Sequence, residues 1–122
     1  MNKDSTLNAL NTWIETMQTL NPDAVSALYT EYAQFWGTLA PELSTEPQSR
    51  LAYFESFLNG KDRLSITLND DTKIHSFADT GLVSGSYVFS FGDTAIPARY
   101  SFTFNTEGKI LHHHSSLIPE NK

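Results

Sequence analysis

Three segments that read as β-strands follow one another in residues 80–118, which read TGLVSGSYVFSFGDTAIPARYSFTFNTEGKILHHHSSLI. The strands are expected over 80–91, 96–105 and 109–118, and around Arg99 apolar and polar side chains alternate with the period of a half-buried strand. The breaks, Gly92-Asp93 and Thr106-Glu107-Gly108, contain the residue types of tight turns. Because such short connections join them, consecutive strands are expected to pair antiparallel.

Upstream of this segment, the pattern predicts three shorter strands and three helices. The strands are expected at 33–39, 64–68 and 73–78. Apolar residues at three- and four-residue steps predict helices over 7–20, from Asn21 to about Tyr32, and over 48–58. The order is helix, helix, strand, helix and then five strands. We therefore expect one α+β domain over 1–122, with three helices in the N-terminal half packed on a mainly antiparallel six-stranded sheet.

Composition is consistent with one folded domain and excludes several classes of protein. Leu, Ile, Val and Phe make up 30 of 122 residues, enough for a core, and the length allows one domain. The net charge is −6. Residues 1–60 hold 7 acidic and 2 basic side chains, whereas residues 61–122 hold 7 and 6. A nucleic acid would be repelled by the first half and barely attracted by the second, so no nucleic-acid partner is expected.

The absence of cysteine and of long apolar runs limits the chemistry and the location. A chain with no Cys has no disulfide, no thiolate nucleophile and no Cys-ligated zinc. Its first residues lack the basic and apolar regions of a signal peptide, and no apolar run approaches the length that spans a bilayer. The sequence therefore predicts a cytoplasmic protein without a membrane partner.

Three consecutive histidines, 112–114, are the most unusual residues of the last predicted strand. Alternation places His112 and His114 on one face with Ile110, and His113 on the other with Leu111 and Ser115. His113 or His114 could act as a general acid or base with a carboxylate from another element. The carboxylates considered are Asp23, Glu31 and Asp79.

Metal binding and nucleophilic catalysis are less favoured interpretations of the same histidines. His112 and His114 could share a metal with His75, but no third ligand stands at a diagnostic spacing, so we expect no metal. No nucleophile-elbow pattern surrounds Ser115 or Ser116. No dinucleotide fingerprint is present either, and no cofactor is expected.

Arg99 and the aromatic residues have two interpretations each. Arg99 lies in an otherwise aromatic strand, opposite in face to Tyr100 and Phe102. It could bind a ligand carboxylate. Otherwise it forms a salt bridge to an acidic residue of a helix or lies exposed at an edge of the sheet. The aromatic residues could line an apolar pocket or simply fill the core. They are Trp36, Tyr53, Phe54, Phe57, Tyr87 and Phe89.

Four motifs in this order resemble the SgcJ/EcaC group of the SnoaL-like, nuclear-transport-factor-2-like (NTF2-like) superfamily, close to the association domain of calcium/calmodulin-dependent protein kinase II. The motifs are 35–41 (FWGTLAP), 53–58 (YFESFL), 98–102 (ARYSF) and 113–116 (HHSS) with Pro119-Glu120. The resemblance implies a cone in which a curved sheet wraps the helices around a cavity, and a homodimer formed through the sheet. It implies pocket positions at Trp36, Tyr53, Arg99, His113 and His114. Ser115 stands where the kinase domain has an arginine.

Three functions follow as alternatives, because this fold serves several. The first is a homodimeric domain that binds a small organic acid or apolar molecule through Trp36, Tyr53, Phe57, Arg99, His113 and His114. The second is an isomerase, cyclase or dehydratase using His acid/base chemistry, which requires a carboxylate near the histidine. The third is an assembly module without a ligand, which a filled interior would indicate.

Overall fold

A computed structural model describes residues 1–119 of the chain. The helices and strands follow one another along the chain in the predicted order. They are α1 (Lys3–Gln18), α2 (Pro22–Ser26), β1 (Tyr29–Trp36), α3 (Pro47–Leu58), β2 (Ser65–Leu68), β3 (Lys73–Ser76), β4 (Thr80–Phe91), β5 (Thr94–Asn105) and β6 (Ile110–Leu117). No helix within residues 1–119 is long and apolar enough to cross a membrane.

The six strands form one mixed sheet, in which β1-β6-β5-β4-β2 lie side by side in this order and β3 pairs with β4 off this path. The long antiparallel pairs β4–β5 and β5–β6 confirm the hairpins predicted for residues 80–118. β2 and β3 both pair antiparallel with β4, at its two ends. β1 runs parallel to β6, whereas the sheet was expected to be mainly antiparallel. No hairpin joins β1 to β6, so no short turn constrains their relative direction.

The helices lie on the face of the sheet that carries the core. Trp13 and Met17 of α1, Phe54 of α3 and Phe102 of β5 are all almost fully buried. α1 approaches the sheet closely at Gly81, where a methyl group would lie 2.1 Å from Oγ1 of Thr6. Only glycine leaves room for the helix at this point, because any Cβ would overlap the threonine hydroxyl.

The second helix is shorter than predicted, and β1 begins earlier. α2 ends at Ser26, and the strand starts at Tyr29 rather than at Ala33. The helix was expected to continue to about Tyr32 because Val25, Leu28, Tyr29 and Tyr32 recur at helical steps. Tyr32 is instead 70% exposed and lies within β1, whose register against β6 shifts between Tyr29 and Gln34.

A second register shift changes the faces of β6. It lies opposite Thr103 and Phe104, and as a result Ile110 and His113 both point into the core. The alternation pattern had placed Ile110 with His112 and His114, which is wrong for Ile110. From His113 onward the alternation holds, because His113 and Ser115 are buried while His114 is exposed.

Candidate functional site

His113 is the central polar residue of the interior. Its side chain is 1% exposed and stacks on Phe102, with 3.8 Å between the ring centroids. The hydroxyl of Tyr29 lies 2.8 Å from Nδ1, and the hydroxyl of Tyr87 lies 3.2 Å from Nε2. Both ring nitrogens therefore have hydrogen-bond partners, and both partners are phenols.

The hydrogen bonds around His113 have one direction. The indole N–H of Trp13, which can only donate, is 3.1 Å from the hydroxyl oxygen of Tyr29. The Tyr29 proton is then available for Nδ1 of His113, so His113 carries its proton on Nε2 and donates it to Tyr87. Tyr87 in turn donates to Oγ of Ser115 over 2.7 Å. The network thus assigns the Nε2–H tautomer.

These groups are neutral at ordinary pH. Burial lowers the pKa of His113 well below its usual range, and charge on His112 and His114 would lower it further. Burial also raises the pKa of Tyr29 and of Tyr87. A neutral imidazole between two neutral phenols can relay hydrogen-bond polarity, whereas it is poorly placed to hold a positive charge.

The chain of hydrogen bonds ends at a small cavity. Oγ of Ser115 is hydrogen-bonded to Oγ1 of Thr38, which lies in the loop that follows β1. Both hydroxyls line a cavity of about 10 Å³ whose other walls are mainly aromatic. That volume holds about one water molecule. The interior is therefore nearly filled in this conformation.

Tyr53 and Phe57 of α3 separate this cavity from the surface. Their rings stack with centroids 5.9 Å apart, and both line the interior cavity and also an outer cleft of about 450 Å³. The hydroxyl of Tyr53 accepts a hydrogen bond of 3.3 Å from the backbone N–H of Leu39. We call Tyr53 and Phe57 the aromatic wall.

The predicted site residues fall into two groups. His113, Tyr53 and Phe57 line the interior cavity. Trp36, Arg99 and His114 lie on the outer face of the sheet, where Trp36 stacks on His114 at 5.8 Å. Arg99 is exposed and donates a 3.4 Å hydrogen bond to the carbonyl of Leu117. These three were expected in the pocket, and strand alternation turns them away from it.

Three interior polar residues were not among the predicted site residues. Ser115 follows His113 by two positions on the same face, so alternation alone could have identified it. Thr38 lies in a loop, and Tyr29 lies in the segment that was expected to be helical. Nothing in their spacing indicated that they would meet His113.

The carboxylates considered for acid/base chemistry do not reach the interior. His113 is hydrogen-bonded to Tyr29 and Tyr87, and the cavity lining contains no Asp or Glu in the part of the chain that is described. No group of three or more His, Asp or Glu side chains within residues 1–119 could hold a metal ion. The arrangement therefore suits hydrogen bonding to a ligand better than proton abstraction.

Comparison with solved structures defines the class of fold. A "putative calcium/calmodulin dependent protein kinase II association domain" from Xanthomonas campestris matches with a TM-score of 0.81 and 29% identity over 92% of this chain and 84% of that one. A "putative dehydratase from the NTF2-like family" from Streptomyces avermitilis matches with a TM-score of 0.76 and 14% identity over 96% of each chain. An NTF2-like protein of unknown function from Pseudomonas putida KT2440 gives 0.82 and 14% over 99% and 91%. The chain thus has the NTF2-like α+β fold.

The family follows from the sequence itself. Residues 7–120 match the SnoaL-like domain, and the chain belongs to that family. No curated protein matches the chain. The resemblance to the superfamily is confirmed, while the narrower SgcJ/EcaC group stays a prediction. Glu120 of the last motif lies outside the described residues.

Proposed function

We propose that this SnoaL-like domain binds a small, largely apolar molecule with one hydrogen-bond-accepting oxygen in its interior. The observation that carries the proposal is the row of hydroxyls of Tyr87, Ser115 and Thr38, which crosses an otherwise aromatic cavity wall. Ligand sites combine apolar walls with a few convergent polar groups in this way. Because the hydrogen bonds run from Trp13 toward Thr38, the last hydroxyl has a proton to donate.

The cavity has room for a ligand only if the aromatic wall moves. About 10 Å³ accommodates a water molecule, whereas a six-membered ring needs many times that volume. Tyr53 is partly exposed, and its hydroxyl accepts a long hydrogen bond of 3.3 Å from the backbone N–H of Leu39. Rotation of its ring toward the outer cleft would join the two spaces. Binding is thus expected to be coupled to displacement of Tyr53.

Two different features of the interior favour ligand binding over acid/base catalysis and over an assembly module without a ligand. Acid/base catalysis would require a free ring nitrogen and a nearby carboxylate, and His113 has neither in this arrangement. A filled interior is what an assembly module without a ligand would show. The row of buried hydroxyls favours binding over that alternative. Burying polar groups in an apolar wall costs free energy, and a domain without a ligand has no use for them there.

The test compares acetophenone with ethylbenzene, which has the same carbon skeleton but lacks the carbonyl oxygen. We expect acetophenone to shift the amide NMR signals of residues around Thr38 and Ser115, and to bind about tenfold more tightly than ethylbenzene. Thr38→Val should remove that preference, whereas Arg99→Ala, on the outer face, should leave it unchanged. If neither compound shifts any interior signal, the assembly module is the better description.

We also propose that the domain forms a homodimer through the outer face of its sheet. The outward side chains in the middle of β4, β5 and β6 are mostly small and uncharged, and Ser84 and Ser101 bond to each other over 2.9 Å. The acidic excess lies instead on residues 1–60, which include all three helices. A weakly charged face can meet its own copy without strong repulsion, and the acidic helices keep the assembly soluble.

A further inference from the structure

The outer cleft beside the aromatic wall differs in charge from the rest of the chain. It has a volume of about 450 Å³, within the range of small-molecule sites. Its walls include Leu39, Pro41, Tyr53 and Phe57. Among the described residues that line the cleft, Lys61 is the one that is charged. A protein of net charge −6 thus has a cleft whose local charge is positive.

Lys61 is held in place by its neighbours. Its ammonium group donates a hydrogen bond to the carbonyl of Phe57, and it lies 4.6 Å from the ring centroid of Phe57 and 4.3 Å from that of Phe91. Two aromatic faces and a carbonyl oxygen stabilise a cation at this point. An ammonium group has three N–H donors, and the carbonyl of Phe57 is the one hydrogen-bond acceptor that the described residues provide for them.

We propose that this cleft binds a small carboxylate with an apolar body, the carboxylate at Lys61 and the body against Leu39, Pro41 and Tyr53. One fixed cation matches one negative charge, and the apolar walls match a hydrocarbon or aromatic group rather than a second charged group. The cleft lies outside the aromatic wall, so its occupation does not require Tyr53 to move. This site is therefore additional to the interior site proposed above.

The experiment titrates the protein with 3-phenylpropanoate and with its uncharged analogue 3-phenylpropanamide at constant ionic strength, followed by amide NMR and calorimetry. We expect the acid to bind at least tenfold more tightly than the amide and to shift the signals of Leu39 and Lys61. Inorganic phosphate, which has the charge without the apolar body, should bind at least tenfold more weakly than the acid.

Matched lysine variants assign the charge to one residue. Lys61→Met keeps most of the aliphatic stem and should reduce binding of the acid about tenfold while leaving the amide unchanged. Lys61→Arg should retain the preference for the acid. Lys109→Met is the control, because Lys109 also donates to a backbone carbonyl, that of Ala27, but lies outside the cleft.

Three results would overturn the assignment: equal affinity for acid and amide, equal affinity of the wild type and Lys61→Met for the acid, or phosphate binding as tight as that of the acid. Failure of the interior site is recognised separately, since it concerns acetophenone and the signals around Ser115. Loss of the acetophenone effect with retention of the Lys61 effect would leave the present proposal intact.

Discussion

Tyr53 covers the backbone of Gly37 so closely that a methyl group at Gly37 would lie 2.4 Å from Cζ of the Tyr53 ring. Gly37 does not have a positive φ, so its backbone conformation alone does not require glycine. The close packing of the ring does. The loop after β1 and helix α3 are therefore in direct contact at the aromatic wall.

Gly37→Ala is expected to push the Tyr53 ring away from the loop and to open the interior. The ring has to leave its packed position to make room for the methyl group, and we expect this to lower the free energy of unfolding by about 1–2 kcal/mol. It should also strengthen acetophenone binding, because part of the displacement of Tyr53 has already occurred. Urea unfolding and NMR titration measure the two effects.

The control is the same substitution in a Tyr53→Ala background. Without the ring there is no overlap, so Gly37→Ala should then change neither the free energy of unfolding nor the affinity by much. Strictly additive effects of the two substitutions would contradict the proposed contact.

His113 is expected to be observed as the Nε2–H tautomer by ¹⁵N NMR of the imidazole. Tyr87→Phe removes the acceptor of that proton and leaves a buried donor without a partner, which should lower the free energy of unfolding by about 1–3 kcal/mol. Tyr100→Phe is a matched control, because the hydroxyl of Tyr100 bonds to Thr72 and not to His113. Observation of the Nδ1–H tautomer would reverse the direction of the whole network.

Stability is expected to fall as the pH drops from about 6.5 to 5. The unfolded chain protonates His113 with a pKa near 6.5, whereas burial lowers the pKa of the folded state well below that value. The unfolded state therefore binds more protons in this window, and ΔG of unfolding should decrease across it by at most about 2 kcal/mol, the amount that applies while His113 stays neutral in the folded state. Above about pH 7.5 the unfolded chain no longer binds this proton, and the contribution is constant.

His113→Gln should remove most of this slope in urea titrations repeated at several pH values. His112 also has a pKa that burial lowers, so a smaller slope in the same direction is expected to remain. His112→Gln should accordingly keep the larger part. A wild-type curve that is flat between pH 6.5 and 5 would show that His113 binds protons in the folded protein as readily as in the unfolded chain.

The sequence predicted the sheet better where hairpins define it than where distant segments meet. Residues 80–91 were predicted as a strand and form β4 with the same bounds, since alternation and turn residues act locally. The start of β1 was misplaced because Val25, Leu28, Tyr29 and Tyr32 recur at helical steps across the end of α2 and the start of the strand. Its parallel pairing with β6 depends on a long connection, which no local pattern encodes.

For the site, strand alternation was the more reliable guide. It had already placed Arg99 opposite Tyr100 and Phe102, and those two aromatic residues are buried while Arg99 is exposed. The expectation that Arg99 faces the pocket came from the resemblance instead. Thr38 could not be found in either way, because its position depends on how the loop after β1 folds against Ser115.

The proposed dimer predicts that a charge in the middle of the outer sheet face dissociates it. Ser101 pairs with Ser84 on one side and with His114 on the other, so a glutamate at this position would place a carboxylate in the middle of the proposed interface. The wild type should scatter light as a species of twice 13.7 kDa, and Ser101→Glu as one near 13.7 kDa. Thr12→Glu adds the same charge on the exposed side of α1 and should stay dimeric. A Ser101→Glu variant with the mass of the wild type would exclude this face as the interface, since the desolvation of two carboxylates at its centre would be strongly destabilising.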